Sequence, residues 1–326
     1  MNNIFLLGAG FTRAVFPNAP LNRDLLHSII ETNPGTLLKK YQIRYHTDDI
    51  EILLTRLDLE IDQNSYEKEQ LQKDRKTIEE DISKYFEQFR FEEEYLQKNI
   101  WLETLAKKLF KDSDAIITTN YDCFLEGLLD YYKLWHPGDG YVNVYDPRIP
   151  TNRKNPKGIK FYKIHGSENF RECKEFDGKG PTGKTIIGFI VRKGVYPLSG
   201  KNTNVGWAEE HCGKYIIAPS FVKIPHFQIA DIVNKAVEVA KTTQNMVIIG
   251  SSLRDEDIFL RLILTGFVNY RAQNKKKLII VDPKACAILE KIKIFCVGST
   301  EQINLVSISK KIEEGLGDLI NLLEAV

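Results

Sequence analysis

A mostly parallel α/β sheet with helices on both faces, interrupted by an inserted helical subdomain, is the fold class this sequence predicts. Three observations carry it. Short apolar runs at residues 3–8, 114–119, 160–165, 245–250 and 278–282 have strand length, with weaker candidates near 184–191, 214–218 and 303–307. Most are followed by helical patterns, among them Asp122–Tyr132, Phe227–Lys241, Asp255–Asn269 and Lys310–Leu323. Alternation of that kind builds a parallel sheet covered on both sides, whose strands read as continuous rather than alternating apolar runs. Between residues 36 and 111 the pattern changes to long helices, densely charged from Glu67 to Glu94.

The first strand, from Asn3, passes straight into Gly8-Ala-Gly10, where glycines let backbone approach a pyrophosphate. Arg13 stands where a dinucleotide fingerprint has its third glycine, and no second strand ending in an acidic residue follows at about 20 residues. A hydride-transferring dehydrogenase is therefore disfavoured. Within the helical segment, Leu71, Ile78, Ile82, Tyr85, Phe86 and Phe89 form one greasy stripe. It suits either packing on its own domain or contact with another subunit.

The second strand ends in Thr118-Thr-Asn-Tyr-Asp122, placing an amide and a carboxylate where open α/β sheets bind ligands. The competing reading of those residues is a plain turn and helix cap. The third strand ends in His165-Gly166, a histidine at a strand terminus followed by a residue that permits close ligand approach. Gly250-Ser-Ser-Leu253 follows the fourth and Asp282 ends the fifth. Residues 136–160 and 168–213, rich in Gly, Pro, Asn and Lys, read as loops, the second as a lid region.

In order, Gly8-Ala-Gly10, Thr118–Asp122, His165-Gly166 and Gly250–Leu253 resemble the four signatures of the sirtuin NAD-binding domain, GAG, TQNID, HG and GTSL. The resemblance runs from Ile4 to about Pro283 and leans toward a divergent bacterial branch that includes NAD-hydrolysing antiphage effectors. Asp49–Leu57 and Met246–Asp257 look like recurrent segments of that branch. Sirtuin deacylases carry a zinc module built on two CxxC pairs, whereas the five cysteines here, at 123, 173, 212, 286 and 296, form none. Their acidic-Phe-Arg segment is replaced by Phe16-Pro-Asn-Ala-Pro20.

The resemblance implies a single domain over 1–326 that takes NAD as substrate and needs no metal. It assigns Gly8, Ala9, Gly10, Phe11 and Thr12 to the pyrophosphate and adjacent ribose, with Ser251 and Ser252 at the next helix start. Asn120 matches the family's catalytic amide, and His165 is the expected general base. Asp122 either bonds a ribose hydroxyl or holds Asn120, and Asp282 either meets the adenosine ribose or caps a helix.

Four activities fit those expectations: an NAD glycohydrolase, a protein deacylase or ADP-ribosyltransferase, a non-catalytic nucleotide sensor, and a scaffold. Having both Asn120 and His165 argues against the last two. An NAD hydrolase needs restraint, and no sensor domain follows Val326 in this sequence. The resemblance therefore points to homo-oligomerisation or a separate partner, with HerA-type ATPases as the analogy.

At 326 residues and 43% hydrophobic, the chain can bury a full α/β core. A net charge of +1 implies no bulk attraction to nucleic acid or membrane. With no apolar stretch of spanning length and no signal peptide, the expected home is cytoplasmic. The irregular, odd set of cysteines agrees, implying reduced thiols. Cys173, Cys212 and His211 do not have the spacing of a common metal site.

Overall fold

Strands that are buried on both faces need apolar residues at every position, and β1 (Asn3–Leu7) is buried throughout its length. So is β2 (Ala115–Thr118). The computed structural model describes residues 3–146, 158–176, 181–190, 212–270, 275–295 and 303–324. Alongside β1 and β2, the main sheet contains β3 (Lys160–Lys163), β7 (Asn245–Ile249), β8 (Lys276–Val281) and β9 (Ile303–Ile308). Their order is β3-β2-β1-β7-β8-β9 and every neighbouring pair is parallel. Edge strand β9 has buried ends and a partly exposed middle, as one lateral partner and a half-covered face allow.

Counted among themselves, these strands run 3-2-1-4-5-6, the doubly wound order of Rossmann-like folds. The winding reverses between β1 and β7, paired from Asn3↔Asn245 to Leu7↔Ile249. A crevice opens at the carboxyl ends of strands at such a reversal. All the expected strands of this sheet are present, within a few residues of the expected limits.

The helices in chain order are α1 (Ala9–Val15), α2 (Asn22–Thr32), α3 (Leu37–Tyr45), α4 (Ile50–Gln63), α5 (Lys68–Phe86), α6 (Glu94–Lys98), α7 (Trp101–Thr104), α8 (Phe124–Tyr131), α9 (Pro137–Gly140), α10 (Phe227–Thr242), α11 (Ile258–Asn269), α12 (Ala285–Phe295) and α13 (Ile312–Glu324). Caps set several starts. The Thr36 hydroxyl accepts from Leu38 N at 3.4 Å, and Asp49 accepts from Glu51 N at 2.8 Å and Ile52 N at 3.2 Å.

Helices α2 to α5 share a second apolar core built on Leu26, Tyr41, Leu53, Leu57, Ile78 and Ile82. The stripe on α5 faces into it, with Leu71, Ile78 and Ile82 buried and Tyr85 and Phe86 packed against them. Of the two readings of that stripe, packing on its own domain is the one observed. Helix α2 contributes Leu25, Leu26 and Ile29 to the same core.

Residues 168–176 correct the loop expectation for 168–213. They belong to β4 (Gly166–Phe176), which pairs antiparallel with β5 (Pro181–Phe189) and β6 (Cys212–Ile216) in a separate three-stranded sheet. Within that expected lid, 177–180 and 191–211 lie outside the described residues, as do 147–157 of the loop expected at 136–160. Polar composition concealed the strand, because Ser167, Glu168, Asn169 and Arg171 are buried rather than solvated. Arg171 Nη1 donates to the carbonyls of Glu168 and Phe170 at 2.8 and 2.7 Å.

The expectation of reduced thiols also needs correcting. Cys173 and Cys212, 39 residues apart, form a disulfide. They are register partners across β4 and β6, a proximity created by strand pairing that sequence spacing does not reveal. Cys123, a buried thiol, and Cys286, an exposed one, are outside any disulfide. Among the described residues, no helix is long and apolar enough to cross a membrane.

Candidate functional site

Three glycines make the floor of the crevice. Gly250, at the end of β7, has φ +60°, and a Cβ there would lie 2.4 Å from Phe11 N and 2.6 Å from the Gly10 carbonyl carbon. A Cβ on Gly8 would meet Gly250 O at 2.7 Å. These residues let the β1–α1 turn lie directly against the end of β7. Gly8 N donates to Ile249 O at 3.1 Å, Gly10 N to Gly250 O at 2.8 Å and Phe11 N to Gly8 O at 2.9 Å. Their amides are thus spent on the protein's own backbone, a different use from the phosphate cradle expected of them.

Above this floor is a cavity of about 610 Å³, within the range that holds nucleotide-sized ligands. Gly8, Ala9, Gly10, Thr12, Asn120, Asp122, His165, Ser251, Ser252 and Asp282 all line it. Phe11 does not. Its ring is buried in the main core, edge-on to Trp101 with centroids 6.3 Å apart. Pro17, Ala19, Pro20, Leu21 and Leu25 supply an apolar wall, while Arg13, Lys284 and Lys311 stand among the lining residues as cations.

Asn120 is held by its amide nitrogen. Nδ2 donates to Gly8 O at 2.9 Å and to Thr12 Oγ1 at 3.1 Å, and its backbone N donates to Thr118 Oγ1 at 3.0 Å. A carbonyl acceptor at Gly8 assigns the amide orientation. Both N–H bonds are engaged, so Oδ1 is the group Asn120 can offer a ligand. Thr12 Oγ1 donates in turn to Asp122 Oδ2 at 2.7 Å, while Asp122 Oδ1 accepts from Phe124 N at 3.2 Å. Asp122 thus supports Thr12 through one oxygen and the start of α8 through the other while also lining the cavity, a placement that fits either of its two expected roles. Burial raises its carboxyl above the ordinary range, and Lys163 opposes that shift.

Lys163 anchors the same loop from below. It is fully buried, and its Nζ donates to Asp122 O at 2.6 Å and Glu126 Oε1 at 2.8 Å. Tyr141 OH also donates to Glu126 Oε1, at 3.2 Å.

His165 has partners that sequence reasoning did not assign to it. Its Nε2 lies 3.1 Å from Asp257 Oδ2 and 3.3 Å from Lys223 Nζ, and Lys223 lies 3.5 Å from Asp257 Oδ1. Burial lowers the His165 imidazole, Lys223 adds to that and Asp257 opposes it, with a net downward result. Burial pushes the Asp257 carboxyl up, but the neighbouring His165 and Lys223 outweigh it and hold the group well below the usual range. With His165 uncharged, Lys223 is the cation that matters there. The reading of Arg254–Asp257 as helix-start chemistry holds in part, since Asp257 Oδ1 accepts from Leu260 N at 3.4 Å as the cap of α11.

A second pair closes the wall. Arg254 Nη2 lies 2.7 Å from Glu51 Oε2, and Asn22 Nδ2 donates to Glu51 Oε1 at 2.7 Å. Burial raises the Glu51 carboxyl, against Arg254 and Asn22. Asp282 Oδ1 accepts from Lys284 N at 2.8 Å ahead of α12, so it serves as a cap while lining the cavity. Ser251 Oγ accepts from Leu253 N at 3.4 Å. Among the described residues, no group of three His, Cys, Asp or Glu side chains is arranged to hold a metal. Cys173 and Cys212 are bonded to each other, and His211 lies outside the described residues.

Fold and cavity define the class: a Rossmann-like α/β protein with a nucleotide-sized cleft at its topological switch point. No protein-family model matches the chain, and no curated protein matches it. Among solved structures it is similar to a Sir2 homologue in complex with ADP-ribose, at 14% identity and a TM-score of 0.44, covering 99% of this chain and 92% of that one. A Sir2 with a p53 peptide and NAD+ matches at 11% identity and a TM-score of 0.36, over 100% of this chain and 94% of the other. Superposition at that level carries no chemistry across, so function rests on the cleft's own residues.

Proposed function

We propose that this chain is an NAD+ glycohydrolase that cleaves the nicotinamide–ribose bond to give nicotinamide and ADP-ribose. The observation that carries the proposal is the convergence of Asn120 Oδ1 and His165, from the ends of β2 and β3, on one cavity at the switch point. The C1′–N bond breaks with its electron pair leaving on neutral nicotinamide, and water adds to the oxocarbenium-like C1′. Asn120 Oδ1 orients that water or a ribose hydroxyl, and uncharged His165 takes the proton released. Arg13, Lys284 and Lys311 offset the pyrophosphate charge, and Pro17, Ala19 and Pro20 exclude water from the nicotinamide end.

The missing CxxC pairs favour hydrolysis over peptide deacylation. In this reading the protein is a cytoplasmic effector of bacterial antiphage defence, restrained until it assembles as a homo-oligomer or meets a partner such as a HerA-type ATPase.

Nicotinamide release by the purified chain is the test, with Asn120→Ala beside it and an acetyl-lysine peptide in parallel reactions. Release that needs Asn120 and no peptide is expected. Release only with peptide would make the protein a deacylase, and NAD binding without turnover in any reaction or assembly state would make it a sensor.

A further inference from the structure

We infer that Lys223 and Asp257 are positioning residues for His165, an ion pair that orients its ring and keeps it an uncharged base at the cavity wall. The inference rests on the glycohydrolase reading for its purpose, though not for its geometry. The three groups come from three places. His165 lies in the turn between β3 and β4, Asp257 caps α11, and Lys223 sits in the Pro219–Pro225 loop. All three side chains are at most 9% exposed.

Nε2 faces both groups, with the Asp257 carboxylate 3.1 Å away and the Lys223 ammonium, which has only protons to offer, 3.3 Å away. Asp257 alone would invite a second ring proton, converting the base into an imidazolium. Lys223 removes that invitation, because its ammonium lies 3.3 Å from the same ring nitrogen and already neutralises Asp257. The carboxylate therefore orients the ring while the lysine prevents it from charging.

Other groups facing His165 leave the balance unchanged. Tyr121, 6.5 Å away by ring centroids, commits its hydroxyl to Ile217 O at 2.7 Å, and Phe259 presents an apolar ring at 6.0 Å. Glu51, which faces Lys223 from α4, is matched by Arg254. At the end of β3, just before the histidine, Lys163 is matched by Glu126.

The lysine is held by the helical layer. Ser220 Oγ donates to Asp58 Oδ2 at 2.6 Å, Phe221 N donates to Thr55 Oγ1 at 2.9 Å, and Asp58 is bridged to Arg75 at 2.7 Å. Placement of Lys223 thus depends on α4 and α5, which couples the helical core to the base.

The experiment is an NMR titration of the His165 ring in the full chain labelled with ¹³C-histidine, its resonance assigned by its loss in His165→Gln. Lys223→Met should raise the titration midpoint by about one unit or more, and Asp257→Asn should lower it. Lys223→Arg, which keeps the cation, should titrate as the parent does. If Lys223→Met does not fold, Lys223→Gln takes its place with the same expected direction. Shifts of both variants in one direction, or a midpoint unmoved in both, would overturn the inference. The readout needs no turnover. Opposite shifts in a chain that never hydrolyses NAD would keep the positioning role and sink the glycohydrolase reading alone.

Discussion

Replacing Gly250 by alanine should be among the most damaging single-methyl additions in this protein. At φ +60° an L side chain costs about 1–2 kcal/mol relative to glycine. The added Cβ would also lie 2.4 Å from Phe11 N and 2.6 Å from Gly10 C, both backbone atoms without a rotamer to yield. Either the β1–α1 turn or the end of β7 must then move, and overpacking of that kind costs about 1–3 kcal/mol. At about 2–4 °C per kcal/mol for a large domain, the melting temperature should fall by roughly 5–15 °C.

Two controls separate these contributions. Gly183 has φ +79° with nothing within 4 Å, so Gly183→Ala should show the conformational cost alone. Gly317, inside α13 and equally open, should give a gain of about 0.5–1 kcal/mol as alanine. Thermal unfolding followed by circular dichroism measures all three. A Gly250→Ala protein melting within a degree of the parent would refute the packed-backbone account of the crevice floor.

Removing the cation of the buried Lys163–Glu126 pair should cost about 3–5 kcal/mol, because Lys163→Met strands a carboxylate; adding Glu126→Gln should restore much of it in urea denaturation. Thr12→Val keeps the shape but cuts both hydrogen bonds of the Asp122–Thr12–Asn120 chain, so nicotinamide release should drop by about tenfold or more, and the buried Asp122 oxygen left without its donor should cost about 1–3 kcal/mol in melting. A full rate would free Asn120 from that support. His165 also predicts a pH dependence of stability. Its folded-state value lies below the ordinary one, so the unfolded chain takes up this proton first as pH falls. The group's contribution should be whole above about pH 6.5 and diminish below it. Melting curves of parent and His165→Gln across pH 5–8 would show the difference, and parallel curves would contradict it.

The sheet and the four strand-end motifs were legible because their causes are local. A strand covered on both faces must be apolar at each position, as Ile4–Leu7 and Ile116–Ile117 are, and that leaves a mark in any short window. Glycines at Gly8, Gly10 and Gly250 marked the tight places equally well, although which neighbour demands each one is a tertiary matter. Three-dimensional structure alone decided the rest. Asp257 reaches His165 across 92 residues and Cys173 meets Cys212 across 39, contacts created by chain pairing with no periodicity to announce them. Strand β4 looked like loop because Glu168, Asn169 and Arg171 find buried partners that only folding supplies. Residue type and order determined which groups this protein could bring to a ligand. Which atoms remain for a ligand, as Asn120 Oδ1 does once the amide nitrogen is spent on Gly8 and Thr12, was decided by hydrogen-bond capacity consumed in packing.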